Sequence, residues 1–360
     1  MTAPLTLSVS CGGTGGHMFP GLATAQTLCA SGHNVALWTG GKRIEEATRR
    51  AWEGPIVVVP AEGLSGNPLR LPRSLWVLLR VYSQCLRELK ARPPAALLAM
   101  GSYSSVGPVL AARRLRIPVV LHEANVIPGR AIEWLAPLAR TVAISFGETR
   151  AHLRHPGLAL TGIPLRTDIE AAAEGAADPA EFTVLVMGGS QGAQRLNRAV
   201  PEALIRLARD GVRLSVIHLA GERDQATVER AYREGGVPAV VHGFLRDMAS
   251  AYRAASVAVC RSGAASCAEL AAFGIPAVLV PYPEAARNHQ RANAAAMQSA
   301  DAAFLLDQAE LTSDRLGALI STLAADPGRR NAMRRAARAR ALLHADRALA
   351  DLVERAAATR

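Results

Sequence analysis

The chain has 360 residues, half of them hydrophobic and a fifth charged, with a net charge of +11. That length exceeds one ordinary domain and suits two of about 150–200 residues each. No uninterrupted apolar run reaches the ~18 residues of a membrane span, and no Lys or Arg precedes Lys42, so neither a spanning helix nor a charged secretory leader is expected. The five cysteines (Cys11, Cys29, Cys85, Cys260 and Cys267) form no C-x-x-C pair, which argues against a thiolate metal cluster and for free thiols in a reducing compartment.

Short apolar runs alternate with longer helix-like stretches along the whole sequence. Leu5–Cys11, Val35–Trp38, Ile56–Val59, Ala96–Met100, Val119–Leu121 and Thr141–Ile144 read as strands. Gly162 and Pro164 interrupt the pattern, which restarts with Phe182–Met187, Leu214–Leu219, Val257–Cys260 and Ala277–Val280. Strand–helix alternation predicts parallel sheets with helical crossovers, and two rounds of it predict an α/β protein of two Rossmann-like domains. Ligands of such domains favour the carboxyl ends of the strands. The expected boundaries are 1–163, 164–340 and a C-terminal helix over 341–360.

Three glycine-containing turns follow strands. The first, Gly12-Gly13-Thr14-Gly15-Gly16-His17, precedes an apolar helix expected to carry Pro20 in its first turn. Glycine lets the backbone approach a phosphate or a sugar, and a helix N-terminus favours negative charge. The spacing is not G-x-G-x-x-G, and no acidic residue follows the second strand, so a dinucleotide site is disfavoured. His17 has the chemistry of a general base near neutral pH, although a histidine satisfied by local backbone contacts accounts for it equally well. The second turn, Gly188-Gly189-Ser190-Gln191-Gly192, repeats the design and suits a diphosphate, or simply a tight connection. The third, Cys260–Ala268 followed by Glu269, puts a carboxylate in the first turns of a helix, where it is able to accept both hydroxyls of a ribose or merely complement the helix dipole.

Taken in order, these segments resemble the MurG family, the UDP-GlcNAc:lipid I N-acetylglucosaminyltransferases of peptidoglycan synthesis. The resemblance adds Gly101-Ser102-Tyr103-Ser104, His122-Glu123-Ala124-Asn125 with Pro128-Gly129, Thr161–Arg166, Phe244–Met248 and Pro281-Tyr282-Pro283 with His289-Gln290 and Asn293, and runs over roughly residues 8–300. It implies the GT-B fold, two Rossmann-like domains facing each other across a cleft, with the last helix crossing back onto the first. It implies lipid I in the N-terminal half and UDP-GlcNAc in the C-terminal half. Thr14, Gly15 and Gly16 would border the donor phosphates and sugar, Asn125 the GlcNAc moiety, and Arg166 and Ser190 the donor near its phosphates. Leu245 would lie against the uracil, Ala264, Ala265 and Ser266 would line the donor site, Glu269 would bind the ribose and Gln290 the sugar hydroxyls. The segment Glu284–Asn288 departs from some relatives, so Gln290 is less firmly carried over than Glu269.

The implied reaction is an inverting displacement by the MurNAc 4-hydroxyl, with His17 as the candidate base. No Asp-x-Asp motif is present, and no metal or cofactor is required by the resemblance, with stimulation by Mg²⁺ left open. Residues 1–163 hold 17 Lys/Arg against 8 Asp/Glu, and residues 328–360 hold 9 against 3. Such asymmetry predicts an anionic partner surface. A helix through Leu75, Trp76, Leu79 and Tyr82 would present one apolar face to the lipid interface, with Arg70, Arg73 and Arg80 at anionic headgroups; an ordinary core-facing helix fits the same pattern. The implied location is the cytoplasmic face of the bacterial inner membrane, beside other cell-wall and division proteins. The other readings are another GT-B UDP-sugar enzyme (a natural-product glycosyltransferase or a UDP-GlcNAc 2-epimerase) and a non-catalytic UDP-GlcNAc-binding regulator. Nucleic acid is disfavoured, because only 4% of residues are aromatic and no recognition motif occurs.

Overall fold

The computed structural model describes residues 3–13, 15–41, 51–59, 71–188 and 193–358, with side chains from Trp76 onward in the helix that opens at Leu71. Thr14, Lys42, Arg70 and Ser190 lie outside the described residues, and so do the side chains of Arg73 and Leu75. The chain divides into two compact units, Met1–Arg166 with Leu343–Arg360, and Thr167–Leu342.

In the first unit the elements run β1 (Thr6–Ser10), α1 (Gly15–Ala30), β2 (Asn34–Thr39), β3 (Ile56–Val58), α2 (Leu71–Ala91), β4 (Ala96–Ala99), α3 (Val106–Arg114), β5 (Val119–Glu123), α4 (Arg130–Leu135), β6 (Thr141–Ile144) and β7 (Leu158–Leu160). The second unit runs α5 (Thr167–Ala173), β8 (Thr183–Met187), α6 (Gln194–Arg209), β9 (Ser215–Leu219), α7 (Gln225–Glu234), β10 (Ala239–His242), α8 (Met248–Ala254), β11 (Val257–Cys260), α9 (Ala264–Phe273), β12 (Ala277–Leu279), α10 (His289–Ser299), β13 (Ala303–Leu305), α11 (Ser313–Ala325) and α12 (Pro327–Ala339). Helix α13 (Ala345–Ala358) returns to the first unit.

Both sheets are parallel throughout, in the orders β3-β2-β1-β4-β5-β6-β7 and β10-β9-β8-β11-β12-β13. Helices cover both faces, which is why the central strands read as continuous apolar runs rather than alternating ones. In the first unit Leu7, Val9, Leu98 and Val120 face α1 and α13, while Leu97, Ala99, Leu121 and Val142 face α2 and α3.

Helix α13 belongs to the first unit through its apolar stripe. Leu349, Ala350, Val353 and Ala356 are buried against β1, β4 and α1. Two polar ties fix its register. His33 donates from Nε2 to Glu354 at 3.1 Å while its Nδ1 accepts the backbone N–H of Leu5 at 3.2 Å, and Thr27 is bonded to Asp346.

The structure corrects two details. Pro20 is not in the first turn of α1 but inside the helix, five residues beyond its start. A proline there donates nothing to the carbonyl four residues back, so the helix lacks one bond of its ladder at that point. Tyr82 does not share the exposed face of α2. It packs with Val81, Cys85, Leu86 and Leu89 on the sheet, whereas Trp76 and Leu79 are 57% and 55% exposed. Among the described residues no helix is long and apolar enough to cross a membrane.

Candidate active site

In each sheet the strand order reverses beside the unit's first strand. β1 has β2 on one side and β4 on the other, and β8 sits likewise between β9 and β11. Connections leave the two strands at such a switch in opposite directions, so a crevice opens beyond their carboxyl ends. The glycine-containing turns read from the sequence stand there: Gly12-Gly13 and Gly101-Ser102 in the first unit, Gly188 and Arg261-Ser262-Gly263 in the second.

The turns of the first unit interlock. Ser102 Oγ lies 2.9 Å and Ser104 Oγ 2.6 Å from the Gly12 carbonyl oxygen, and the two hydroxyls are 2.7 Å apart. Two hydroxyl protons thus serve three contacts around one carbonyl. Ser102 has φ 63° and ψ 169°, a conformation suited to glycine and strained by roughly 1–3 kcal/mol in other residues. Close approach explains the glycines opposite: a Cβ on Gly12 would come within 2.6 Å of the Gly40 nitrogen, and one on Gly13 within 2.9 Å of Ser102 Oγ.

His17 rides on the first turn of α1, half-buried. The position a Cβ would take on Gly13 is 3.7 Å from His17 Nδ1, and that on Gly101 is 3.5 Å from His17 Cδ2 and 3.5 Å from the His122 carbonyl oxygen. The imidazole therefore lies over both turns, at the switch. Gly15 and Gly16 open the same helix.

Strand β5 ends with two ionisable residues, His122 and Glu123, both buried. His122 Nε2 donates to the Gly162 carbonyl at 3.0 Å and lies 3.1 Å from Ser145 Oγ. Burial lowers its pKa to about 4, opposed by the bond to the Gly162 carbonyl and helped by the nearby His17, so it is neutral at pH 7. It ties the Thr161–Arg166 segment to β5. Burial raises the pKa of Glu123, opposed by the N–H groups it accepts. Its Oε1 takes Asn125 N at 2.8 Å and Asn125 Nδ2 at 3.2 Å, and its Oε2 takes Gly129 N at 2.8 Å. Glu123 therefore aims Asn125, a role the sequence reading did not assign. Its signal was present: a carboxylate closing an apolar central strand has to be anchoring something.

In the second unit, α9 starts at Ala264 with Gly263 as its N-cap, and no side chain caps it. The N–H groups of Ala264, Ala265 and Ser266 thus form an end suited to an anion. Ser262, fully buried, donates to the Gln290 carbonyl at 2.8 Å, and Asn293 Nδ2 donates to the Ser262 carbonyl at 3.1 Å. Gln290 Oε1 accepts Tyr282 N at 3.0 Å. Arg261 donates to the Val280 and Pro281 carbonyls, both at 3.1 Å, and to Gln308 Oε1 at 2.6 Å. The third turn, Gln290 and the segment after β12 are thereby one hydrogen-bonded assembly. Arg287 and Asn288, in the departing segment, have φ of 56° and 55°, so the chain is left-handed twice before α10. Glu269 is half-buried on α9 and accepts from Tyr252 Oη at 2.5 Å. Leu245 is half-buried beside an exposed Phe244 in the loop before α8.

The site residues therefore fall into two groups. His17, Gly15, Gly16, Asn125 and Arg166 belong to the first unit, and Leu245, Ala264, Ala265, Ser266, Glu269 and Gln290 to the second. Among the described residues no three His, Cys, Asp or Glu side chains cluster as metal ligands would.

Comparison with known proteins places this geometry. Residues 7–144 match the glycosyltransferase family 28 N-terminal domain, and residues 183–352 the glycosyltransferase family 28 C-terminal domain. The UDP-N-acetylglucosamine--N-acetylmuramyl-(pentapeptide) pyrophosphoryl-undecaprenol N-acetylglucosamine transferase of Geotalea uraniireducens is 38% identical over 358 residues, 98% of each chain. The crystal structure of Acinetobacter baumannii MurG superposes with a TM-score of 0.82 at 29% identity, covering 98% of this chain and 100% of that one. CalG4, the calicheamicin glycosyltransferase, shares the fold at 16% identity, with a TM-score of 0.69 and 99% coverage of both chains. The expected GT-B class is thus met.

Two buried histidines give the molecule a pH signature. His122 and His218 have pKa values lowered by burial to about 4 and about 3. His218 is also neutral by construction, donating from Nε2 to Asn197 Oδ1 at 3.1 Å and accepting Tyr232 Oη at Nδ1 at 3.0 Å. Above pH 6.5 neither affects the balance between folded and unfolded chains. As pH falls below 6.5 the unfolded chain takes up protons that the folded one refuses, so stability falls until about pH 4 and pH 3 respectively. Each contributes a slope of up to about 1.4 kcal/mol per pH unit. Urea titrations from pH 7 to 4.5 should show this decline, and His218→Asn should flatten it by about one group's worth.

Proposed function

The chain belongs to glycosyltransferase family 28, and we propose that it moves GlcNAc from UDP-GlcNAc to the MurNAc 4-hydroxyl of lipid I, forming lipid II in peptidoglycan synthesis. The observation that carries this reading is 38% identity over 98% of the chain to a relative whose name states that transfer. A shared fold at 16% identity does not choose between acceptors, so the natural-product transferases are set aside on sequence rather than on architecture.

In this reading the first unit takes the acceptor and the second the nucleotide sugar. The 4-hydroxyl oxygen attacks the anomeric carbon as the bond to the diphosphate breaks, UDP leaves, and the configuration inverts. His17 receives the hydroxyl proton; it is the half-buried imidazole at the switch, backed by the interlocked Gly12–Gly13 and Gly101–Ser104 turns. Negative charge grows on the departing diphosphate. The uncapped N-terminus of α9 and Arg166 favour that charge without rearranging, which is the condition for electrostatic help in the transition state. Thr14 and Ser190 are assigned to the donor by resemblance. Asn125, aimed by Glu123, takes the GlcNAc moiety, Gln290 its hydroxyls, Leu245 the uracil and Glu269 the ribose.

The basic first unit would sit on an anionic membrane surface, where lipid I resides. Trp76 and Leu79 are exposed, and the Arg80 guanidinium stands 4.6 Å from the Trp76 ring centroid. An indole with a cation against its face suits the headgroup layer.

His17→Ala should retain UDP-GlcNAc binding and lose turnover by at least about 100-fold, measured as UDP release with a short-chain lipid I analogue; near-normal turnover would remove His17 from the base role. Trp76→Ser with Leu79→Ser should weaken co-sedimentation with anionic vesicles about tenfold or more while sparing donor binding, and undiminished sedimentation would exclude this face.

A further inference from the structure

Glu269 does not hold its position alone. Tyr252 is 2% exposed and donates its hydroxyl to Glu269 Oε2 at 2.5 Å, short enough for a charge-assisted bond. The phenol has little freedom to leave. Its ring lies against Phe273, with centroids 5.1 Å apart and planes tilted by 32°, and Phe273 ends the same helix that carries Glu269. Tyr252 thus reaches α9 at two points, one polar and one apolar.

Its own helix is tied to the other end of the nucleotide site. Helix α8 starts at Met248, directly after the loop that carries Phe244 and Leu245. Asp247 caps it, accepting Ser250 N at 3.1 Å and Ser250 Oγ at 2.5 Å. One turn of helix therefore separates the loop assigned to the base from the hydroxyl that holds Glu269.

We propose that Tyr252 is a positioning residue for nucleotide recognition, holding the Glu269 carboxylate so that the site demands a ribose over a 2′-deoxyribose. This rests on the reading of Glu269 as the ribose acceptor. A glutamate without such a partner samples several rotamers, and a ligand has to freeze them on binding. With one oxygen already held, the carboxylate is oriented before the sugar arrives. A sugar lacking the 2′-hydroxyl then forgoes a hydrogen bond to an acceptor already set in place, which is the arrangement that discriminates strongly. Loosening the carboxylate makes UDP bear the cost of ordering it, and the preference falls.

The test measures dissociation constants of UDP and 2′-deoxy-UDP for the full chain by calorimetry, in wild type, Tyr252→Phe, Glu269→Ala and the double variant. Wild type should prefer UDP by about tenfold or more. Tyr252→Phe should weaken UDP by about that factor and 2′-deoxy-UDP by less than about twofold, collapsing the preference. Adding Tyr252→Phe to Glu269→Ala should change neither constant, since Tyr252 acts through Glu269. Phe273→Leu keeps the hydroxyl but loosens its seat, and should give an intermediate loss of preference. A Tyr252→Phe protein that keeps the full preference, or that weakens both ligands equally, overturns the proposal. If Glu269→Ala itself keeps the wild-type preference, the ribose reading fails first and takes the proposal with it. A collapse in Glu269→Ala with none in Tyr252→Phe rejects the proposal alone.

Discussion

A sheet whose strands all run the same way delivers every carboxyl end to one edge, and the chemistry of this chain depends on that constraint. Each candidate site residue lies just past a strand end or on the helix that follows it. His17 follows β1, Asn125 follows β5, Arg166 follows β7, Leu245 follows β10, Glu269 follows β11 and Gln290 follows β12. Parallel pairing requires a crossover between neighbours, the crossover is usually a helix, and the helix presents its N-terminus at the same edge. Backbone donors and a positive dipole end therefore accompany the side chains without being specified residue by residue. The reversal of strand order then decides which of these edges is open.

Around that edge the protein spends polar groups on orientation. Ser102 and Ser104 converge on one carbonyl, Glu123 takes three N–H donors from its own loop, His122 clips a distant segment to β5, and Tyr252 holds Glu269. Ser104, Glu123, His122 and Tyr252 are buried groups whose hydrogen bonds are made, and removing one partner strands the other at a cost of about 1–3 kcal/mol. Strain is tolerated in the same places: Ser102 sits in a glycine-type conformation, and Arg287 and Asn288 are successive left-handed residues before the Gln290 helix. These features hold the candidate site groups in one arrangement.

Much of this was legible in the sequence, for identifiable reasons. Strands buried on both faces announce themselves as apolar runs, and nine of the ten read in advance are the interior strands β1, β2, β4–β6, β8, β9, β11 and β12; the tenth, β3, is an edge strand that still reads as an apolar run. The three that were missed, β7, β10 and β13, are all edge strands of three or four residues. Their exposed sides carry weaker hydrophobic signal, as Leu160 and Val240 at 45% and 57% exposure illustrate. The glycine turns were visible because glycine is costly elsewhere. The groups that orient the site were not, because a hydrogen bond from Tyr252 to Glu269 or from Ser104 to Gly12 joins residues 17 and 92 positions apart. Tyr82 was misassigned because a helix stripe read by spacing does not reveal where solvent begins.

The central claim is acceptor chemistry, since the fold is shared by enzymes with other acceptors. The most direct measurement is the linkage formed when the purified chain is given UDP-GlcNAc and a short-chain lipid I analogue in detergent. The account predicts acceptor-dependent UDP release with a single new product, GlcNAc joined through a β bond to the MurNAc 4-oxygen, identified by mass and by the anomeric proton coupling. An α linkage, or UDP release that does not depend on the acceptor, would contradict it.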